Sequence, residues 1–185
     1  MEHNDNIKKD HSYYFIDYIF RLCNSDSGIA SKLKRAGSEN QAVSSYGILV
    51  GAGVDIEKYY QLIPHSIVAE IIAKSKLESD AGKENLGKVL RLSTELKKGD
   101  DKEINDTRMR RILNCDTLEE LQVILRPVLN FIISRGFIDS LCLHDFLNDL
   151  LYFEHEAAQN RIKKKWAKSF YTFNNDKGEK AKNDW

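Results

Sequence analysis

Two prolines and ten glycines are all that 185 residues contain. An all-β sandwich or barrel needs a turn about every ten residues and draws on both types, so this scarcity excludes that class and favours long helices. No apolar run approaches the roughly 18 residues of a membrane span. The N-terminal MEHNDNIKKDH has no apolar stretch of the kind a secretion signal requires. The expected setting is the cytoplasm. The three cysteines, Cys23, Cys115 and Cys142, are odd in number and form no C-x-x-C pair. They are expected as reduced thiols, packed mostly as small hydrophobes. Charge of one sign is not in excess either: 28 Lys plus Arg balance 28 Asp plus Glu. A generic nucleic-acid binder carries a basic surplus, so any such role must lie in how the charges are arranged.

What is present is 42% hydrophobic and 10% aromatic residues, enough for a core that needs no metal or disulfide staple. Apolar spacing predicts a helix over 12–23 with Tyr14, Phe15, Tyr18, Ile19 and Leu22 inward, and a short helix ending at Gly37. Over 42–56 the sequence leaves the conformation open: SSYGILVGAGV fits a strand and glycine turn without requiring one, and DIEKYYQLI after it looks helical. A helix then starts with Pro64 in its first turn and Ile67, Ile71 and Ile72 inward. LGKVLRLSTEL is a short helix, and the densely charged KKGDDKEIND at 97–106 is a linker or solvated loop.

Further on, TRMRRIL is helical to Leu113, and Thr117-x-x-Glu120 forms a capping box for a helix that Pro127 should kink or split. Asp139 or Ser140 caps one last helix about 30 residues long, with Leu143, Phe146, Leu147, Leu150, Leu151, Ala158, Ile162, Trp166 and Phe170 inward. The expected fold is all-α with two packed helical subdomains: an N-terminal one over 1–100 and a C-terminal bundle over 101–173. A tail without fixed structure follows at 174–185.

Catalytic chemistry finds no foothold in the motifs. Gly51-x-Gly53 is followed by Ile56 where a dinucleotide fingerprint needs glycine, and no G-K-[ST] follows a glycine loop. The glycines read as a tight turn or a close helix approach. His144, Asp145, Asp149, Glu154, His155 and Glu156 crowd one region, but without HExxH or H-x3-H spacing they read as an acidic solvated face. A metal-dependent hydrolase using Asp145, Asp149 and Glu154 is the remote alternative. No enzyme activity, cofactor or metal is expected.

Charge geography is what remains. Five carboxylates and no base lie between Asp139 and Asn160, and five bases and no acid between Arg161 and Lys168. That polarity suits a helix macrodipole, a sufficient structural reason in itself. Yet basic clusters recur at Lys32, Lys34 and Arg35; at Lys88 and Arg91; and at Arg108, Arg110 and Arg111. If these helices share a face, they form a basic stripe able to hold phosphates with no base reading.

Four segments, in order, carry a resemblance: GIASKLKRAG from Gly28, LGKVLRL from Leu86, RMRRILNCDTLEELQVILR from Arg108, and the run from Ile138 to Tyr171. The chain resembles the small, CasB-type subunit of the type I-E CRISPR surveillance complex, Cascade, over about 28–172. The resemblance implies two helical bundles and a non-catalytic subunit, present as two copies stacked head-to-tail. It would contact the backbone and large subunits and steady the guide RNA–target DNA hybrid and the displaced strand in antiviral defence.

Carried over by position, the nucleic-acid contacts fall on Lys34, Arg35, Lys88, Arg108 and Arg126. The charge argument alone adds Lys32, Arg91, Arg110, Arg111, Lys163, Lys164, Lys165 and Lys168. Departures from the family pattern are Lys34 in place of Arg, Ser140 and Phe153 at Trp positions, and Pro127 directly after Leu125-Arg126. A subunit that serves any guide should grip backbone and leave sequence to base pairing. The competing reading is a helical adaptor that docks acidic protein surfaces and never touches nucleic acid.

Overall fold

The computed structural model describes residues 11–38, 42–94 and 101–172, the side chains of 101–105 excepted. The protein is all-α. Among these residues the chain forms nine α-helices, one 3-10 turn at Ile138–Ser140 and a single isolated parallel bridge, Glu84 with Leu141. The helices are α1 (His11–Ser25), α2 (Ser27–Leu33), α3 (Val43–Gly51), α4 (Tyr59–Ser75), α5 (Leu86–Leu92), α6 (Asp101–Leu113), α7 (Leu118–Ser134), α8 (Leu143–Leu151) and α9 (Glu156–Tyr171).

α4 is the centre. Every residue from Ile63 to Ala73 is buried, as expected of a helix surrounded on all sides. α1, α2, α3, α7 and α8 pack against it, while α9 packs against α5 and α6. The buried side chains form one contiguous cluster drawn from all nine helices. The boundary expected at residue 100 and the tail expected after 173 fall on, or run into, residues outside those described.

Several local expectations are corrected. Residues 43–51 are a helix, not a strand. Ile48-Leu49-Val50 mimics a buried strand, but Ser45 and Leu49, one turn apart, are the residues that go fully inward. The glycine turn closes this helix: Gly53 sits at φ 83°, its N–H donates to the Val50 carbonyl, and Val54 N–H reaches back to Leu49. That pairing is a Schellman motif. α4 begins at Tyr59, five residues before Pro64, so the proline lies inside the helix rather than in its first turn. Pro127 does not split α7; its ring is exposed, and α7 runs unbroken to Ser134. The charged segment expected as a linker is helical from Asp101 onward. In α1 the inward face is Phe15, Ile16, Ile19 and Phe20, and Tyr14 points to solvent.

The long terminal helix is two helices. A straight helix would separate Asp149 from Trp166 by about 26 Å at 1.5 Å per residue. Instead Trp166 Nε1 donates to Asp149 Oδ2 at 2.9 Å. The break at Tyr152–His155 turns Phe153 inward to stack on Trp166, and both are fully buried. The capping box holds on one side: Thr117 Oγ1 accepts from Glu120 N–H, while Glu120 accepts from Asp116 N–H rather than from Thr117.

Two tests follow from this packing. A Cβ on Gly87 would lie 2.0 Å from the Trp166 carbonyl oxygen. Gly87→Ala must therefore part α5 from α9, and should cost about 2–3 kcal/mol in urea unfolding. His65 is buried against Phe15, its Nδ1–H donates to the Gln61 carbonyl at 2.6 Å, and Nε2 has no partner. Burial, with His11 nearby, pushes its pKa down to about 4. The unfolded state therefore binds the extra proton between about pH 6.5 and 4, and stability should fall across that window by on the order of 3 kcal/mol. Urea unfolding at pH 7 and pH 4 should show a smaller fall in His65→Asn.

Candidate nucleic-acid interface

The expected contact residues assemble into two groups. The first forms around the turn that ends α2. Asp26 caps α2 by accepting from Gly28 and Ile29 N–H at 2.7 and 3.3 Å. The chain then turns through Lys34 and Arg35 to Gly37, with Leu33 and Ala36 buried beneath. That alternation leaves Lys32, Lys34 and Arg35 exposed, and none has an ion pair among the described residues. The turn is pinned at Gly37: its N–H donates to Glu70 Oε2 at 3.0 Å, and its carbonyl accepts from Gln122 Nε2 at 3.1 Å. Arg126, one turn beyond Gln122 on α7, also reaches Glu70, with Nε 3.4 Å from Oε1. The structure thus brings Arg126 beside the Lys34–Arg35 turn, 90 residues away in the chain.

The second group lies where α5, α6 and α9 meet. Asn85 Nδ2 donates to Ser169 Oγ at 2.7 Å and Tyr171 OH to Asp106 Oδ1 at 2.7 Å, locking α5 and α6 onto the end of α9. Within this group the candidates differ. Arg91 donates to the carbonyls of Phe170 and Thr172, so its guanidinium caps α9. Arg108 stacks on the Phe131 ring, 4.1 Å from its centroid, a cation–π contact. Arg110 pairs with Asp106 but stays largely exposed, and Arg111 is exposed. Lys88 is half-buried in the first turn of α5.

On α9, Lys163 pairs with Asp116 at 3.2 Å and Lys165 with the buried Asp149 at 2.5 Å. Burial raises the Asp149 carboxyl above its ordinary pKa, and Lys165 and Trp166 oppose that rise. Lys164 and Lys168 face solvent. The polarity read as one helix's dipole match is therefore divided: Asp139 lies in the 3-10 turn, Asp145 and Asp149 on α8, Glu154 in the turn after it and Glu156 at the start of α9, while the bases all lie further along α9.

Two arginines were left out of the expected contacts, although Arg161 was counted in the basic run. Arg135 sits 5.2 Å from the Phe131 ring, joining Arg108 there; its i, i+4 spacing from Phe131 was the available signal. Arg161 is exposed on α9 with Lys164 and Lys168 at i+3 and i+7, one outward face. Two of the three carboxylates weighed as metal ligands have other partners. Asp149 holds Lys165 and Trp166, and Glu154 accepts from Tyr59 OH and Leu118 N–H. Among the described residues no three His, Cys, Asp or Glu side chains converge on a point. No described helix is long and apolar enough to cross a membrane.

The model of the CRISPR-associated protein Cse2 family matches residues 30–171, from the middle of α2 to the end of α9. The chain belongs to the Cse2 family. It is thus a small subunit of the type I-E CRISPR Cascade complex, a component of a larger assembly and a member of a structural family. No curated protein and no solved structure matches the chain. In this Cse2 chain the matched span takes in both basic groups in full.

Lysines of α9 that are paired and those that are open should separate on mutation. Lys165→Ala leaves the buried Asp149 carboxylate with one partner fewer and should cost about 1–3 kcal/mol. Lys164→Ala should stay within about 0.5 kcal/mol. Urea unfolding monitored by circular dichroism checks both.

Proposed function

We propose that this Cse2 subunit grips nucleic-acid backbone within Cascade, without sequence preference and without catalysis, steadying the guide RNA–target DNA hybrid and the displaced strand. The observation that carries this reading is the α2 turn. Lys32, Lys34 and Arg35 stand exposed with no acid paired to them among the described residues, on backbone anchored to both α4 and α7. Cations held on a rigid frame lose little entropy on meeting a phosphate, and lysines act there as point charges while arginine adds a fork. Arg126 beside that turn, and Arg108, Arg110, Arg111, Lys88, Lys164 and Lys168 in the second group, are the further cations this reading assigns to the backbone. Near-zero net charge suits a subunit that holds nucleic acid only when docked beside it, in the cytoplasm, next to other Cascade subunits and a second copy of itself.

A helical adaptor touching only protein is the second reading, and exposed Tyr59, Tyr60 and Tyr152 favour it, since tyrosine is enriched at protein interfaces. One experiment separates the two. Reconstituted Cascade carrying Lys34→Glu with Arg35→Glu should bind labelled target duplex at least about tenfold more weakly. The slope of log K against log salt should be shallower by about two, with complex assembly and helix content unchanged. Wild-type target affinity in an intact mutant complex would sink the backbone-gripping reading, and failed assembly with normal residual affinity would favour the adaptor.

A further inference from the structure

Glu70 is the only carboxylate in α4, and its side chain is 7% exposed. Three donors from three parts of the chain converge on it. Oε2 accepts from the Gly37 N–H at 3.0 Å, and Oε1 accepts from Lys74 Nζ on its own helix and from Arg126 Nε on α7 at 3.4 Å. The approach to Gly37 is so close that a Cβ there would lie 2.3 Å from Oε2. Any larger residue there would make the carboxylate shift from this position, so Gly37 suits the place directly after the basic turn.

The way Arg126 is held matters. An arginine–carboxylate pair frequently engages both prongs of the fork. Here Glu70 takes Nε alone, and the two terminal amines of Arg126 have no hydrogen-bond partner among the described residues. The side chain is 40% exposed beside a shallow depression lined by Gly37, Ser38, Pro127 and Asn130. Lys74, bridging Glu70 and Asn130, supplies the balancing charge. The cluster of Glu70, Lys74 and Arg126 therefore keeps one net positive charge, carried outward.

We infer that Glu70 is a positioning residue of the phosphate-gripping face: one buried carboxylate fixes the Lys34–Arg35 turn through Gly37 and aims the open end of Arg126 at the same phosphodiester strand. This rests on the backbone-gripping reading and adds to it the residue that joins its parts. Glu70 touches no nucleic acid; it acts through the donors it holds.

The test is a mutant cycle in reconstituted Cascade, reading the affinity for labelled target duplex across salt. Arg126→Ala should weaken binding about tenfold, the scale of one charge-assisted phosphate contact. Glu70→Gln should weaken it about fivefold with Arg126 present, and by less than about twofold on top of Arg126→Ala. Arg126→Lys supplies a readout that a purely structural role would not move. A lone ammonium can serve Glu70 or a phosphate but not both, so Arg126→Lys should bind almost as poorly as Arg126→Ala, and adding Glu70→Gln should then improve binding.

Glu70→Gln binding as well as or better than wild type, alongside a weakened Arg126→Ala, overturns the positioning role. So does an equal loss from Glu70→Gln with and without Arg126. Arg126→Ala binding like wild type overturns instead the assignment of Arg126 to the interface, and the positioning role with it. Should Glu70→Gln fail to fold, Arg126→Lys decides alone: a loss matching Arg126→Ala supports the role, and wild-type affinity refutes it.

Discussion

Eleven consecutive residues of α4, Ile63 to Ala73, are withdrawn from water, and the placement of five other helices depends on that. A helix buried all round offers a docking surface in every direction, so α1, α2, α3, α7 and α8 can each cover their apolar stripe against it. The same burial makes any polar group on α4 consequential, because an unmet charge there is costly. Glu70 meets this constraint by gathering a backbone N–H, a lysine and an arginine. In doing so it ties a surface turn and a distant helix to the centre of the protein.

A second centre, Trp166, organises the other end. Its indole donates to Asp149, its ring meets Phe146 and Phe153, and Gly87 of α5 lies against its carbonyl. α5, α6 and α9 converge there, and with them the second basic group. The two groups are thus each built on a rigid point of the core. On the proposed function, in which the subunit holds a flexible polyanion, the useful property is a fixed set of cations rather than a large net charge.

Helix-forming segments were legible wherever apolar residues kept 3.6-residue spacing over several turns: α1, α2, α4, α5, α7 and the two halves of the last run. The capping signal at Thr117 acts as its chemistry dictates. Errors cluster where local signals conflict. Ile48-Leu49-Val50 has the β-branched character of a strand, yet it sits in a helix that packs on α2 and α4. The α8–α9 break was invisible because its inward residues keep near-helical spacing across the turn, and only the Asp149–Trp166 bond requires the chain to fold back. Pro127 left α7 whole because its ring faces water, an orientation that residue type does not encode.

The sequence by itself determined the class: few turn formers and repeated helical stripes allow little but an all-α reading, and four ordered segments carry the resemblance to the family. It also determined which residues are basic and, through i, i+3 and i+4 spacing, which share a face of their own helix. Only the tertiary structure decided which of these cations are open and which are engaged. Among the described residues Lys34 and Arg35 have no ion pair, while Lys163, Lys165 and Arg91 are bound to acids or carbonyls from remote segments. It alone joined Arg126 to the α2 turn through Glu70. The physical reason is range: periodicity and capping act within one or two turns of chain, whereas ion pairing and close packing act between side chains that only the completed core brings within a few ångströms.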